Sequence, residues 1–363
     1  MTAAILLAHV VLIHLLLKTS ALNEDISKQQ SEVEQLQREN QESQKILPDE
    51  AKPAPSAPGA VRTPAPSTPS AAAVRSAQPA WRPLDYSGAF RGKIKSLPGS
   101  GAASGGILVD LGSRKVLWTK QTAGVFPIAS MSKLMTLLIA CEMAEARDPA
   151  FPQGFDTMIR VTREAAEVPP SKVFLAVGEK FPLRDLMIAA AVKSANDAAY
   201  LIAQHAGGGN ADVFVEAMNR KAAALGMKQT HFYNPHGLPG KTRKQDNSSS
   251  AEDMIRLCEA FMSHPQLMRF TSMRIADFRT PGEKNYLKFA NHNNLLPGAR
   301  FGAEGVTGLK TGFTNRAGFC IAATCTRQGR TLLAIVTGYP NANGRDTFTR
   351  ALLNWGFSQR QKP

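Results

Sequence analysis

The spacing of apolar and polar residues divides the chain into a tail and a body. Ala3 to Leu17 is an apolar run broken only by His9 and His14, shorter than the roughly 20 residues a spanning helix needs and as long as the core of a signal peptide. Only Met1 and Thr2 precede it and Lys18 follows. Residues 1–21 therefore read as a signal peptide with a misassigned start or as an uncleaved membrane anchor. From Leu22 a heptad pattern follows, with Ile26, Val33, Asn40 and Leu47 on one seam position and Leu22, Gln29, Leu36 and Ser43 on the other. So polar a seam supports a weak helical or coiled-coil stalk over 22–47. The Pro/Ala/Ser tract over 48–84 cannot pack a core and reads as a disordered spacer, reaching roughly 110 Å if extended at ~3.1 Å per residue.

The body, expected over 85–358 with a short tail at 359–363, has a different pattern. Ile107 to Leu111 and Lys115 to Trp118 alternate about Gly112-Ser113, which predicts a β-hairpin. Met131 to Ala146 is almost continuously apolar, as are Leu183 to Lys193 and Ala198 to Ala203, so these segments predict buried helices. Gly318 to Arg327 and Thr331 to Gly338 predict a second hairpin about Gln328-Gly329-Arg330, followed by a helix from Asp346 to Trp355. Strands, then helices, then strands make an α/β (α+β) architecture, an antiparallel sheet flanked by helices.

Composition narrows the class. The 363 residues are 43% hydrophobic and 20% charged, with a formal charge of +14, which suits a globular protein working beside polyanions. The basic residues are scattered, no nucleic-acid motif is present, and five Tyr and three Trp form no stacking platform, so no nucleic-acid partner is expected. Cys141, Cys258, Cys320 and Cys325 contain no Cys-x-x-Cys pair and are too far apart in sequence for a disulfide scaffold. Cys320 and Cys325 stand five apart on a predicted strand, hence on opposite faces and unbonded to each other.

Three polar segments interrupt the apolar pattern. Ser130 and Lys133 open the most apolar helix one turn apart, so a serine hydroxyl meets a lysine whose pKa desolvation lowers toward that of a base. By composition a lone Ser-x-x-Lys should occur about once in such a chain, so the other segments decide. Ser194 and Asn196 lie between two helical segments, where a loop can present a hydroxyl and an amide to a cleft. Lys310, Thr311 and Gly312 precede the last hairpin; Lys310 offers positive charge, Thr311 a hydroxyl donor, and Gly312 lets a substrate backbone run close to a strand.

In this order the segments resemble the Ser-x-x-Lys, Ser-x-Asn and Lys-Thr-Gly set of penicillin-binding proteins and serine β-lactamases. Residues 105–357 resemble more narrowly the low-molecular-mass D-alanyl-D-alanine carboxypeptidases. The further matches are Pro127 to Thr136, Ser194 to Ala199, Phe232 to Leu238, Gly308 to Thr314 and Asn354 to Phe357. The resemblance implies a transpeptidase-like fold with a helical subdomain and an enzyme that trims the terminal D-Ala from peptidoglycan stem peptides, with β-lactams as covalent inhibitors and no cofactor or metal. It makes Ser130 the nucleophile, Lys133 its base, and Ser194 with Asn196 the proton-shuttling and substrate-holding pair. Lys310, Thr311 and Arg345 would bind the substrate carboxylate. The backbone amides of Ser130 and Phe313 would form the oxyanion hole. Because that substrate lies outside the cytoplasmic membrane, the resemblance also implies a periplasmic or extracytoplasmic location, tethered through the N-terminal segment.

Two departures bear on the reading. Many relatives have His where Phe313 stands, and many carry a second β-rich domain and a C-terminal anchor, whereas this sequence ends six residues after Phe357. The shorter architecture also occurs in D,D-endopeptidases that cut cross-links, which is the alternative reading. A class A β-lactamase would require a carboxylate to activate the deacylating water; Glu216 is the candidate, but its neighbours form one amphipathic helix on which it reads as solvated. A metallopeptidase lacks His-Glu-x-x-His, leaving His231 and His236 as loop residues with structural roles. An inactive wall-binding module would not need every polar group of the three segments.

Overall fold

A computed structural model describes residues 81–359. The expected signal or anchor, the heptad stalk, residues 48–80 of the spacer and residues 360–363 lie outside the described residues. Trp81 and Leu84, assigned to the spacer by composition, instead pack against the core. The guanidinium groups of Arg114 and Arg256 lie over the Trp81 ring, at 4.5 and 4.1 Å from its centroid. The folded body therefore includes at least four residues ahead of the boundary composition suggests.

The body opens with β1 (Phe90–Arg91), β2 (Gly105–Asp110) and β3 (Val116–Lys120). β2 and β3 are the expected hairpin, pairing Ile107 with Thr119 and Leu108 with Trp118. After β4 (Phe126–Pro127) comes a 3-10 turn, Ala129–Ser132, then α1 (Lys133–Glu145). Helix α2 (Arg163–Glu167) lies between β5 (Met158–Arg160) and β6 (Lys180–Pro182), a two-stranded ribbon. The segment expected as one helix over Leu183–Lys193 is α3 (Leu183–Ile188) continued by a π-helical turn, Ala189–Lys193. Then come α4 (Asn196–Ala206), α5 (Ala211–Ala224), β7 (Ser248–Ser249), α6 (Ala251–Met262) and α7 (Pro265–Ser272). A ribbon of β8 (Ile275–Phe278) and β9 (Leu287–Ala290) precedes β10 (Val306–Thr314), β11 (Gly318–Arg327), β12 (Arg330–Tyr339) and α8 (Ala342–Ser358).

The main sheet has the order β1-β3-β2-β12-β11-β10, antiparallel except for the short parallel pair β1 and β3. Gln328 and Gly329 both have positive φ, at 48° and 75°, the two-residue turn whose twist suits a hairpin. Apolar residues on β2 and β12 run without interruption because both faces of the sheet are covered. Ile107, Val109, Leu333 and Ile335 belong to the core that holds α1 and the helical layer, whereas Leu108, Leu332, Ala334 and Val336 face a second core under α8. Alternation along each strand sends neighbours to opposite cores. Cys320 lies in the first core and Cys325 in the second, and all four cysteines are free.

Local caps set several helix starts. Thr162, Asn210, Ser250 and Asn341 each accept a hydrogen bond from an N–H in the first turn of α2, α5, α6 and α8, a contribution of about 1 kcal/mol apiece. Helix α1 is buried from Lys133 to Ala144, which makes it the axis of the helical layer. Among the described residues no helix is long and apolar enough to cross a membrane.

Candidate active site

Ser130 does not open an α-helix, as the sequence suggests, but sits in the 3-10 turn just before α1. The turn is pinned from two sides. The amide of Ile128 donates to the carbonyl of Asn247 at 3.0 Å, and Ser132 Oγ donates to the Ala129 carbonyl at 2.7 Å. Ala129 is held at φ 47°, a conformation that costs a non-glycine residue about 1 kcal/mol or more and persists only where its surroundings impose it.

Lys133, fully buried, points its Nζ back to Ser130 Oγ at 3.0 Å. The same Nζ donates to Asn196 Oδ1 and to the His236 carbonyl, both at 2.7 Å. Burial, and then the charge of Lys310, lower the pKa of Lys133 well below its ordinary value, while Asp197 pulls the other way. A neutral amine has two N–H bonds and one lone pair. Asn196 Oδ1 and the His236 carbonyl can only accept, so they take both N–H bonds and direct the lone pair at the one partner able to donate, the Ser130 hydroxyl. This arrangement can receive the serine proton.

Ser194, in left-handed conformation at φ 63° and ψ 31°, ends the π-helical turn, and Asn196 begins α4. Asn196 is fixed at three points: Nδ2 donates to the Pro169 carbonyl at 2.9 Å, its amide donates to the Ser171 carbonyl at 2.7 Å, and Oδ1 holds Lys133. Next to it the buried Asp197 carboxylate accepts from the amides of Val173, Leu175 and Ala198 at 2.9–3.2 Å. Desolvation raises its pKa, opposed by those amides. Asp197 thus binds the 171–175 loop to the start of α4.

β10 forms the facing wall. Lys310 is 2% exposed and its Nζ donates to the Thr311 carbonyl at 3.0 Å; burial, reinforced by Arg345, pushes its pKa down to about 7. Arg345 Nε donates to Asp346 Oδ1 at 2.8 Å and its Nη1 donates to the Cys320 carbonyl of β11 at 3.4 Å. A Cβ on Gly312 would lie 2.8 Å from the Ile128 carbonyl and 3.1 Å from the Ser130 amide nitrogen, so only glycine lets the strand pass this close to the nucleophile. Phe313 is 49% exposed and stacks on Phe319, ring centroids 4.1 Å apart.

Ser130, Ser194, Asn196, Thr311, Gly312, Phe313 and Arg345 line one cleft of about 640 Å³, with Lys133 and Lys310 buried beneath it. The structure therefore brings together all nine residues singled out in the sequence. Among the described residues lining the cleft there is no Asp or Glu. Glu216 is on the exposed face of α5, paired with Arg220 at 3.6 Å, and is not part of the cleft. His236 is buried; desolvation, then Lys133, push its pKa down to about 3, and its Nδ1 accepts from the Leu238 amide at 3.1 Å.

Sequence reasoning missed the supports. Asp197 and Gly237 lie within matched segments but offered no separate signal, and the His236 carbonyl is backbone. His292 and Asn291, which also line the cleft, come from a segment without a motif.

Comparison with known proteins places this geometry. Residues 93–341 match the family model described as D-alanyl-D-alanine carboxypeptidase. The D-alanyl-D-alanine carboxypeptidase DacF of Bacillus subtilis is 30% identical over 257 residues, 71% of this chain and 62% of the Bacillus protein, so this chain spans about three-fifths of that relative's length. A D-alanyl-D-alanine endopeptidase of Pseudomonas aeruginosa is 36% identical over 228 residues, 62% of this chain and 67% of that protein. Penicillin-binding protein D2 of Listeria monocytogenes, solved with ampicillin bound, superposes with a TM-score of 0.61 at 26% identity, covering 71% of this chain and 98% of that one. On its matched residues, its fold and its relatives, this chain belongs to the D-alanyl-D-alanine carboxypeptidase family of serine peptidases.

Proposed function

We propose that the protein is a serine-type D-alanyl-D-alanine carboxypeptidase that removes the terminal D-Ala of peptidoglycan stem peptides. The observation that carries this reading is the position of Lys133 Nζ, 3.0 Å from Ser130 Oγ with its other two directions taken by pure acceptors. Ser130 Oγ attacks the penultimate D-Ala carbonyl while Lys133 takes its proton, a form of base assistance worth about 10²–10⁴ in rate. The amides of Ser130 and Phe313 receive the oxyanion, each such donor contributing ~2.7–4 kcal/mol. Lys310, Thr311 and Arg345 hold the terminal carboxylate. Ser194 passes the proton to the leaving amine, D-alanine departs, and water cleaves the ester.

A second reading, cleavage of D-Ala cross-links, is supported by the 36% identity to the Pseudomonas endopeptidase. Mass spectrometry of products from a pentapeptide and from a cross-linked dimer separates the two. A catalytically inactive wall-binding module is disfavoured by the intact constellation at Ser130.

Penicillin provides the decisive test. Its ring-opened product cannot diffuse away as D-alanine does, and among the described residues no carboxylate lines the cleft to activate water, so the ester should persist. Intact mass should rise by one penicillin on the peptide containing Ser130, and Ser130→Ala should lose both adduct and turnover. Labelling that survives in Ser130→Ala overturns the assignment.

The apolar run Ala3 to Leu17 supports an extracytoplasmic protein tethered or exported through its N-terminus. Deleting residues 1–21 should retain the protein in the cytoplasm; continued export would refute the tether. A chain beginning at residue 80, which keeps Trp81, should retain its kcat on a soluble peptide if residues 1–79 serve only as anchor, stalk and spacer.

A further inference from the structure

The far end of α1 carries a second constellation, unrelated to the acylation chemistry. Cys141 lies eight residues beyond Lys133, roughly 12 Å along the helix axis. Cys141 Sγ is 3.4 Å from Glu145 Oε1, and the other carboxylate oxygen, Oε2, is 2.9 Å from Nδ1 of His264, the residue that caps α7. One donor atom from each of these three side chains lies within 4.8 Å of the others. A tetrahedral zinc with bonds of about 2.0–2.3 Å sets its ligands roughly 3.3–3.7 Å apart, so side-chain rotations of about an ångström would close the set.

We propose that Cys141, Glu145 and His264 bind a divalent cation of the zinc class, clipping the distal end of the nucleophile helix to the start of α7. The surroundings favour it in three ways. His264 Nε2 faces Glu142 Oε1 at 3.8 Å, beyond direct hydrogen-bond reach, and Glu142 is held by Lys221 Nζ at 2.6 Å, so a small ring rotation would let this outer carboxylate orient a ligating imidazole. A thiolate and the Glu145 carboxylate neutralise a dication, while Glu142 and Lys221 neutralise each other. The Glu145 side chain is 42% exposed, so solvent reaches the cluster from that side and can supply the fourth ligand. Binding displaces the thiol proton, Cys–SH and M²⁺ giving Cys–S–M⁺ and H⁺. The sequence concealed this site because the ligands combine one helical turn with a histidine more than a hundred residues away.

Titration of the full chain, freed of metal by chelation, with Co²⁺ tests the site. One equivalent should bind with a thiolate-to-cobalt charge-transfer band that Zn²⁺ abolishes, and Zn²⁺ should raise the melting temperature. Cys141→Ser should lose the band, and His264→Gln, at a partly exposed position, should weaken binding at least tenfold, both variants still melting cooperatively. Zinc-binding heats should vary with the ionisation enthalpy of the buffer, reporting the released proton. Absence of the band in the wild type overturns the proposal. So does a band retained in Cys141→Ser, which would place the metal on Cys258, Cys320 or Cys325. Unchanged binding in folded His264→Gln overturns it as well.

Discussion

Gly237 packs directly against Ala129: a Cβ on Gly237, which has a φ of 86°, would lie 2.0 Å from the Ala129 carbonyl oxygen and 2.9 Å from the Ser130 amide nitrogen. The loop on which it sits is braced. Asn234 Oδ1 accepts from the Gly237 amide at 2.6 Å, and Thr136 Oγ1 of α1 donates to the Pro235 carbonyl at 2.6 Å. The contact therefore ties the His236 carbonyl, which holds Lys133, to the turn that carries the nucleophile.

Gly237→Ala should separate these two parts. The left-handed φ costs a non-glycine residue about 1–3 kcal/mol, and a displacement near 1 Å at the nucleophile costs roughly 10² in rate. Penicillin acylation, followed by intact mass against time, should slow by about that factor while the protein still melts cooperatively. Acylation at the wild-type rate would show that the contact does not position Ser130.

Asp197→Asn should produce two separable effects. Replacing the carboxylate leaves at least one of three buried amides without a good acceptor, worth about 1–3 kcal/mol, so the plateau of kcat/KM should fall and the melting temperature should drop. The Asp197 charge also raises the pKa of Lys133. Without it the amine stays neutral to lower pH, and the acid limb of the kcat/KM profile should move toward acid. A purely structural Asp197 would lower the plateau and leave the limb in place, which the pH profile detects.

Phe348 of α8 meets Trp118 edge-on, centroids 5.6 Å apart, and stacks with Tyr339 at 5.8 Å. Phe348→Ala should cost about 3–5 kcal/mol, the range for a large buried aromatic, read from denaturant unfolding. A loss below about 1 kcal/mol would mean that the core under α8 collapses around the gap.

How much of this was legible in the sequence depends on what each feature rests on. Helix α1 and both hairpins follow from apolar spacing, which the chain carries residue by residue. The 3-10 turn at Ser130 and the π-helical turn before Ser194 do not, because their offsets are imposed by packing against Gly237, Asn247 and the 169–171 segment. The three polar segments located the side chains of the site but not their environment. Two of the three partners of Lys133 could be read only from the fold: a main-chain carbonyl has no residue signature, and the side chain of Asn196 reaches Lys133 from 63 residues away. Composition assigns Trp81 to the spacer because it averages over a window, whereas the two arginines over its ring are brought together by tertiary structure.

Lys310 sets the alkaline side of the reaction. Its pKa of about 7 arises first from burial and then from Arg345, so in the free enzyme it is cationic below pH 7 and neutral above. The proposed substrate binds through a carboxylate, which favours the cation and raises the pKa of Lys310 in the complex. KM should therefore be flat below pH 7 and rise above it, approaching tenfold per pH unit until the pKa of the complex is reached. Lys133 acts in the opposite sense, being active as the neutral amine, so kcat should fall toward acid. Lys310→Arg tests the assignment, since a guanidinium stays charged across this range. Its KM should lose the rise above pH 7 while kcat keeps its acid limb. A KM that still rises in folded Lys310→Arg would assign the alkaline limb to another group and remove Lys310 as the titrating carboxylate ligand.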